Sequence, residues 1–398
     1  MNEVRLFALS ALRTATTNAL GKTSPRYESP RRILVVKLDH LGDTLLATPA
    51  LRALRESWPG VPIDAVVHPG SGVLLEGSSL VDRVFAYDSP RFRRGAGAGD
   101  AERGERDRQD ALLRLLAPER YDWVLEFRGD EWTAGPLLRA LRPVRRHDRG
   151  TVRVLDWLSR RMGRLRGRKP APPLHEIDTN LAIVRPTLSR WPDRPRVEAP
   201  PWPHAALELE RVARDLAPGF DPRRPYAVIQ LGATWAPRAW RAERFGAVAA
   251  ALRTAYDASV VVIGAAEEAP LRAAFLAGGG PADSAFFFGA LSIPAVGALL
   301  RRAGLFVGSD GGMAHLAAAC GTPSLVLFGP QSPARFGPRG TGIVVLHRPV
   351  ECFPCAQVVC VHPENPCVNL TTVEEAVTVA KRLWSAATPP SEPTTPRN

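Results

Sequence analysis

Leu305-Phe306-Val307-Gly308-Ser309-Asp310-Gly311-Gly312-Met313-Ala314-His315-Leu316-Ala317-Ala318-Ala319-Cys320 reads as an apolar strand, a short glycine turn and an alanine-rich helix. A wholly apolar run of this length is the signature of a strand buried on both faces of a parallel sheet. A parallel sheet needs helical crossovers, and open sheets of that kind bind ligands at the carboxyl ends of their strands. The turn Ser309–Gly312 lies at such an end. The N-terminus of the helix offers free N–H groups and the positive end of a dipole to an anion. Gly311 and Gly312 allow a phosphate to approach the backbone closely. A second reading stays open: Ser309 or Asp310 is an ordinary helix cap, and His315 serves either a ligand or a neighbouring strand.

The same strand–helix alternation extends in both directions. Downstream of residue 225, strands are expected at 226–231, 259–263, 285–288, 305–307, 324–328 and 343–346. Helices are expected at 242–256, 269–277, 293–303, 312–320 and 373–384. The first half opens β-α-β: a strand at 33–36, a helix at 43–58 ended by Pro59-Gly60, and a strand at 63–67, with further strands at 83–87 and 122–127. A proline-rich stretch, 192–203, separates the two arrays and reads as a linker. The fold class is therefore α/β with two Rossmann-like domains facing a cleft. The expected divisions are an arm at 1–30, a first domain at 31–195, a second at 204–385, and a disordered Pro/Thr-rich tail at 386–398.

The chain has 398 residues, a length suited to about two domains. Its hydrophobic fraction of 45% and charged fraction of 23% are those of a soluble globular protein. No run approaches the ~20 apolar residues of a membrane span, and residues 1–20 lack a signal-peptide core, so a cytoplasmic location is expected. The net charge is +12, almost all from arginine, since the lysines are Lys22, Lys37, Lys169 and Lys381. Part of that charge reflects a composition rich in Ala, Arg, Pro and Gly. The rest is clustered in 139–169, which reads as a solvated surface or as a face turned to an anionic acceptor or membrane. No groove-reading helix or aromatic RNA motif accompanies it, so nucleic acid is not an expected partner.

Two other strand-to-helix loops could carry chemistry. Lys37-Leu38-Asp39-His40-Leu41-Gly42-Asp43-Thr44 places Asp43 near a helix start, where it is either an N-cap or an ionised general base for an acceptor hydroxyl. The segment 230–240 holds Thr234 and Arg238; Arg238 could neutralise a leaving diphosphate, with Arg241 and Arg244 as rivals. The glycine repeat at 95–99 lacks the strand–helix context of a dinucleotide fingerprint and is rejected. Cys352, Cys355, Cys360 and Cys367 fall within sixteen residues. Their irregular spacing makes a metal site a minor reading, and no metal is expected.

At these segments the chain resembles the ADP-heptose:lipopolysaccharide heptosyltransferase family, glycosyltransferase family 9, over about residues 31–385. The resemblance rests on Leu41-Gly42-Asp43 with Thr48-Pro49-Ala50-Leu51, on Asp310-Gly311-Gly312 with His315-Leu316-Ala317-Ala318, and on Gly321-Thr322-Pro323 with Leu327-Phe328-Gly329-Pro330. The cysteine spacing is similar to that of the family's heptosyltransferase II branch. The resemblance implies a GT-B fold and metal-independent, inverting transfer of a sugar, heptose from ADP-heptose, to a lipid-linked or lipopolysaccharide-core saccharide. No cofactor is implied, since the nucleotide-sugar is a substrate. It implies Asp43 as general base with Arg238 stabilising the leaving group. Donor contacts would come from Thr234, Glu267 or Glu268, Ser309, Asp310, Gly311, Gly312, Met313 and His315, and acceptor contacts from Lys37, His40 and Gly42. An anionic glycolipid acceptor implies peripheral contact with the inner membrane surface. Two departures stand out: Arg238 replaces a common lysine, and Gly311 replaces a common Ser or Thr. The alternative classes are a nucleotide-sugar epimerase and a non-catalytic sugar-nucleotide-binding protein of the same architecture.

Overall fold

The computed structural model describes residues 29–89, 105–128, 140–143, 145–165, 174–193, 195–353, 355 and 359–387. The chain divides into two compact units, Met1–Pro200 and Pro201–Asn398, with the boundary inside the proline-rich stretch. Most of the expected N-terminal arm and tail, and the glycine repeat at 95–99, lie outside the described residues.

The N-terminal unit is built on a five-stranded sheet of order β3-β2-β1-β4-β5. Its strands are β1 Ile33–Lys37, β2 Ile63–Val67, β3 Arg83–Ala86, β4 Trp123–Glu126 and β5 Arg145–Asp148, all paired in parallel. Strands β1 and β2 are buried along their whole length, and apart from Lys37 and Asp64 their side chains are apolar. Each such side chain withdrawn from water contributes roughly 1.5–3 kcal/mol. The helix expected at 43–58 is two helices, α1 Leu41–Leu45 and α2 Thr48–Ser57. The break follows from Pro49, which has no N–H to continue a ladder but fits the first turn of a new helix. Helix α3 Glu105–Leu116 begins within the polar stretch 91–110, which in sequence reads as a loop or an exposed helix start, whereas α4 Arg149–Leu165 and α5 Glu176–Val184 are not foreseen there. Strand β5 lies in the basic run 139–169; Arg145 and Arg146 are half-buried, whereas His147 and Asp148 are buried.

The C-terminal unit has a six-stranded sheet of order β11-β10-β9-β6-β7-β8. Its strands are β6 Tyr226–Gln230, β7 Ser259–Gly264, β8 Ala285–Phe288, β9 Leu305–Ser309, β10 Ser324–Phe328 and β11 Ile343–His347, again all parallel. The helices are α6 Ala205–Leu216, α7 Ala242–Tyr256, α8 Leu271–Ala277, α9 Ile293–Arg302, α10 Gly312–Ala319 and α11 Val373–Ala387. One core cluster joins Ile229, Leu231, Trp240 and Phe245 to Val307, Leu327, Leu383 and Trp384. The final helix is thereby sealed onto the same core as α7, where Tyr256 stacks on Trp384 with centroids 6.0 Å apart.

Counted from its own first strand, each sheet has the order 3-2-1-4-5, and the second continues to 6. This is the Rossmann order, in which the winding reverses between strands 1 and 4. The α/β, GT-B expectation of two Rossmann-like domains is met by these two sheets. Each has its switch point at the carboxyl ends of the pair that carries the quoted loops: β1 with β4, and β6 with β9. No described helix is long and apolar enough to cross a membrane.

Candidate active site

At the first switch point the chain leaves β1 at Lys37 and enters α1 at Leu41. Lys37 is 2% exposed, and its Nζ lies 2.6 Å from Asp39 Oδ2. Arg128, just past β4, pairs with the other Asp39 oxygen and donates to Leu38 O at 3.3 Å. Burial opposes the charge on Asp39, but Lys37 and Arg128 outweigh it and hold this carboxyl below the usual range. Asp39 is thus locked as an anion. Lys37, expected to meet an acceptor, is turned inward to this pair. His40 is exposed at the loop tip and packs edge-on against His68, with centroids 6.0 Å apart.

Asp43 is half-buried in the first turn of α1. The N-cap of that helix is His40, with no side-chain cap, so the N-cap reading of Asp43 is not what the fold uses. Burial, then the negative charge of Asp39, pushes the Asp43 carboxyl above its ordinary value; Lys37 opposes this and Glu176 adds to it. Two carboxylates four residues apart therefore differ: one is held as an anion by its cationic partners, the other has its proton affinity raised. Gly42 is buried between them.

Behind the loop stands a second ion pair that sequence reasoning missed. Arg149 is 9% exposed, and its Nη2 lies 2.6 Å from both carboxylate oxygens of Glu176, itself 2% exposed. Arg149 belonged to the basic run read as a solvated face. A signal was available only in hindsight, as an Arg and a Glu at the starts of two helices, which their spacing in sequence does not link.

At the second switch point, β9 ends at Ser309 and α10 begins at Gly312. The N-cap is Gly311, and no side chain caps the helix, so the capping alternative for Ser309 and Asp310 fails. Ser309 is fully buried, and its Oγ accepts the Trp240 backbone N–H at 3.3 Å. That bond ties the loop after β6 to the end of β9. Asp310, 5% exposed, lies 3.4 Å from Arg238 Nη1 through its Oδ2. Arg241 and Arg244 are engaged elsewhere: the first donates to Glu364 O at 3.0 Å, the second to Asn369 O at 2.6 Å and Thr371 O at 3.0 Å. Among the three arginines, Arg238 is the one brought to the helix start.

Gly311 has an extended backbone, and a Cβ there would meet only Ser309 O, at 4.0 Å. The missing hydroxyl is a matter of sequence, since the fold leaves room for one. Thr234 is exposed and Met313 half-buried, while His315 is buried on α10. Glu267 and Glu268 differ in their surroundings. Glu267 is exposed, whereas Glu268 is half-buried, and its Oε2 accepts the Ala265 N–H at 2.8 Å. The Glu268 carboxylate lies over Gly232, whose φ is +73°; a Cβ at that position would collide with it. Glycine is required there both for the left-handed backbone and for the close approach.

Cys352, Cys355, Cys360 and Cys367 are all free thiols. Burial, then the proximity of Cys355, Cys360 and Cys352, raises the proton affinity of Cys367. Among the described residues no His, Cys, Asp and Glu grouping is arranged to hold a metal ion.

The profile of glycosyltransferase family 9 (heptosyltransferase) matches residues 111–365. The chain belongs to glycosyltransferase family 9. It is 28% identical to lipopolysaccharide heptosyltransferase 1 of Pseudomonas aeruginosa over 334 residues, covering 83% of this chain and 88% of that one. Among solved structures, the family 9 glycosyl transferase of Veillonella parvula superposes with a TM-score of 0.71 at 16% identity, over 89% of this chain and 97% of that one. The E. coli heptosyltransferase WaaC with ADP superposes with a TM-score of 0.62 at 19% identity, over 88% and 99%. The matches establish the family without selecting its branch II. This family 9 chain is a glycosyltransferase, and the epimerase and non-catalytic alternatives are not favoured.

Proposed function

We propose that the protein transfers heptose from ADP-heptose to a lipid-linked or lipopolysaccharide-core saccharide with inversion at the anomeric carbon. The observation that carries this reading is the uncapped start of α10 with Arg238 beside it, at the switch point between β6 and β9. An open helix N-terminus joined by a guanidinium is suited to a diphosphate. The nucleotide follows from the relatives: the similar E. coli heptosyltransferase is described with ADP and with ADP-2-deoxy-2-fluoro heptose.

In this mechanism Asp43 accepts the proton of an acceptor hydroxyl as its oxygen attacks C1 of the donor sugar. The bond between C1 and the diphosphate oxygen breaks, and ADP leaves with the electron pair. One in-line displacement gives the inverted product. Arg238 and the backbone N–H groups of Gly312 and Met313 receive the developing charge, which is the kind of preorganised stabilisation that favours the transition state. Asp310 holds Arg238 in place, Ser309 holds the loop that bears it, Thr234 and His315 adjoin the phosphates, and Glu268 faces the ribose. The donor thus lies on the C-terminal unit, and His40 and Gly42 meet the acceptor on the N-terminal unit. Charge is balanced by side chains and backbone, which supports a reaction without a metal ion. A cytoplasmic enzyme working at the inner membrane surface fits the acceptor; α4, with Arg153 exposed and Trp157 51% exposed, supports that contact.

Asp43→Asn and Asp43→Ala test the base. Loss of a general base lowers turnover by about 10²- to 10⁴-fold, while ADP binding, followed by calorimetry, stays intact. Near-wild-type turnover in either variant would overturn the assignment. Substituting GDP- and UDP-sugars for the ADP-sugar in the same assay checks the nucleotide.

A further inference from the structure

The buried pair Arg149–Glu176 touches neither donor nor acceptor in the mechanism above, yet it stands against the Asp43 loop. Arg149 opens α4 directly after β5, and besides Glu176 it donates through Nη1 to Phe127 O at 3.2 Å, past the end of β4. Glu176 opens α5, and Asn180 follows it by one helical turn, which puts both on the same face. Asn180 Nδ2 donates to Leu46 O at 2.9 Å, and Leu46 is the residue that ends α1. Helix α1 has five residues and no side-chain cap. A helix that short has little stability of its own, so its place must be set by what grips its ends.

We infer that the Arg149–Glu176–Asn180 unit positions the general base: Asn180 fixes the helix that carries Asp43, and Glu176, held by Arg149, sets the charge that Asp43 experiences. The inference rests on the reading of Asp43 as base. The charged groups facing Asp43 are Lys37 from β1, Asp39 and His40 from the loop, Glu176 from α5 and Arg149 from α4. After burial, Asp39 and Glu176 raise the proton affinity of Asp43, while Lys37 and His40 lower it. Lys37 is already spent on Asp39, and Arg128 on the other oxygen of the same carboxylate. Glu176 is therefore the negative charge that can be removed without deleting a member of the Lys37–Asp39–Arg128 arrangement.

The test is the pH profile of kcat/KM at saturating donor for the wild type, Glu176→Gln, Glu176→Asp and Asn180→Leu, with melting temperatures measured in parallel. Glu176→Gln moves the acid limb to lower pH by about one unit, a modest effect for a lost like charge. Glu176→Asp keeps the charge and leaves the limb near its wild-type position. Asn180→Leu removes no charge; it lowers kcat about tenfold or more, the cost of a misplaced catalytic group, with the KM for donor unchanged. A folded Glu176→Gln with an unmoved limb overturns the charge role, and unchanged kcat in Asn180→Leu overturns the positioning role. Should Glu176→Gln not fold, the double variant Arg149→Met with Glu176→Gln, which removes both buried charges together, carries the same shift of the acid limb, and an unmoved limb there overturns the charge role. Asp43→Asn in the same series separates the two failures. If it retains turnover, the base reading falls and this inference with it. If it loses turnover while the Glu176 and Asn180 variants behave as wild type, only this inference falls.

Discussion

Glu268 and Gly232, in the donor site as proposed, are fitted to each other one residue at a time. The acidic pair Glu267-Glu268 follows β7 and completes a single 3-10 turn, Ala266–Glu268, in which Glu267 is exposed and Glu268 folds back to the Ala265 N–H. The carboxylate then occupies the space that a side chain at position 232 would need. Glu268→Ala is expected to raise the KM for the nucleotide-sugar by about tenfold, the loss of one hydrogen bond to a charged group, with kcat little changed. Glu267→Ala serves as the control. Equal effects of the two substitutions on KM would refute the assignment.

At the scale of elements, the deciding features are where strands end and whether helices are capped. Helix α10 starts without a side-chain cap, and α1 is a single turn interrupted before Pro49. Both leave backbone donors at a switch point, which a capped helix would have satisfied internally. Strand β5 adds a pH-dependent liability. His147 is buried there, and burial together with Arg145 lowers its pKa to about 4, while Asp148 opposes the shift. Its unfolded value is near 6.5, so between about 6.5 and about 4 the unfolded chain takes up a proton that the folded chain refuses. Stability is thus lost as pH falls through that window, by on the order of 3 kcal/mol if the whole shift is realised. Urea midpoints at pH 7 and pH 4.5 should differ more for the wild type than for His147→Phe. An identical difference in both proteins would show that His147 is not the source.

For the molecule as a whole, two sheets with two switch points imply two separately cored units. Calorimetric unfolding of such a chain need not follow a single two-state transition. Since the donor site is assigned to the C-terminal unit alone, ADP should shift the transition of that unit and not the other. At about a hundredfold excess over Kd the stabilisation is about 2.7 kcal/mol. Limited proteolysis during the melt identifies which unit each transition reports, and protection confined to the N-terminal unit would reverse the assignment of donor and acceptor.

The sequence by itself determined the α/β class, the family and the positions of the strands that end in the three candidate loops. Apolar runs bounded by glycine and proline are local patterns, and buried parallel strands need nothing more to be recognised. Asp43, Arg238 and the 309–315 turn were legible for the same reason, since each sits within a few residues of a readable strand end. What tertiary structure alone decided was how each of several similar side chains is buried and paired. Arg241 and Arg244 differ from Arg238, and Glu267 from Glu268, through partners up to 127 residues away in the chain, as with Arg244 and Thr371. Arg149 changed from a surface charge to a buried one because α5 brings Glu176 to it. The physical reason is that burial and pairing are properties of long-range packing. A charge in a basic run carries the same letters whether water or a carboxylate stands beside it.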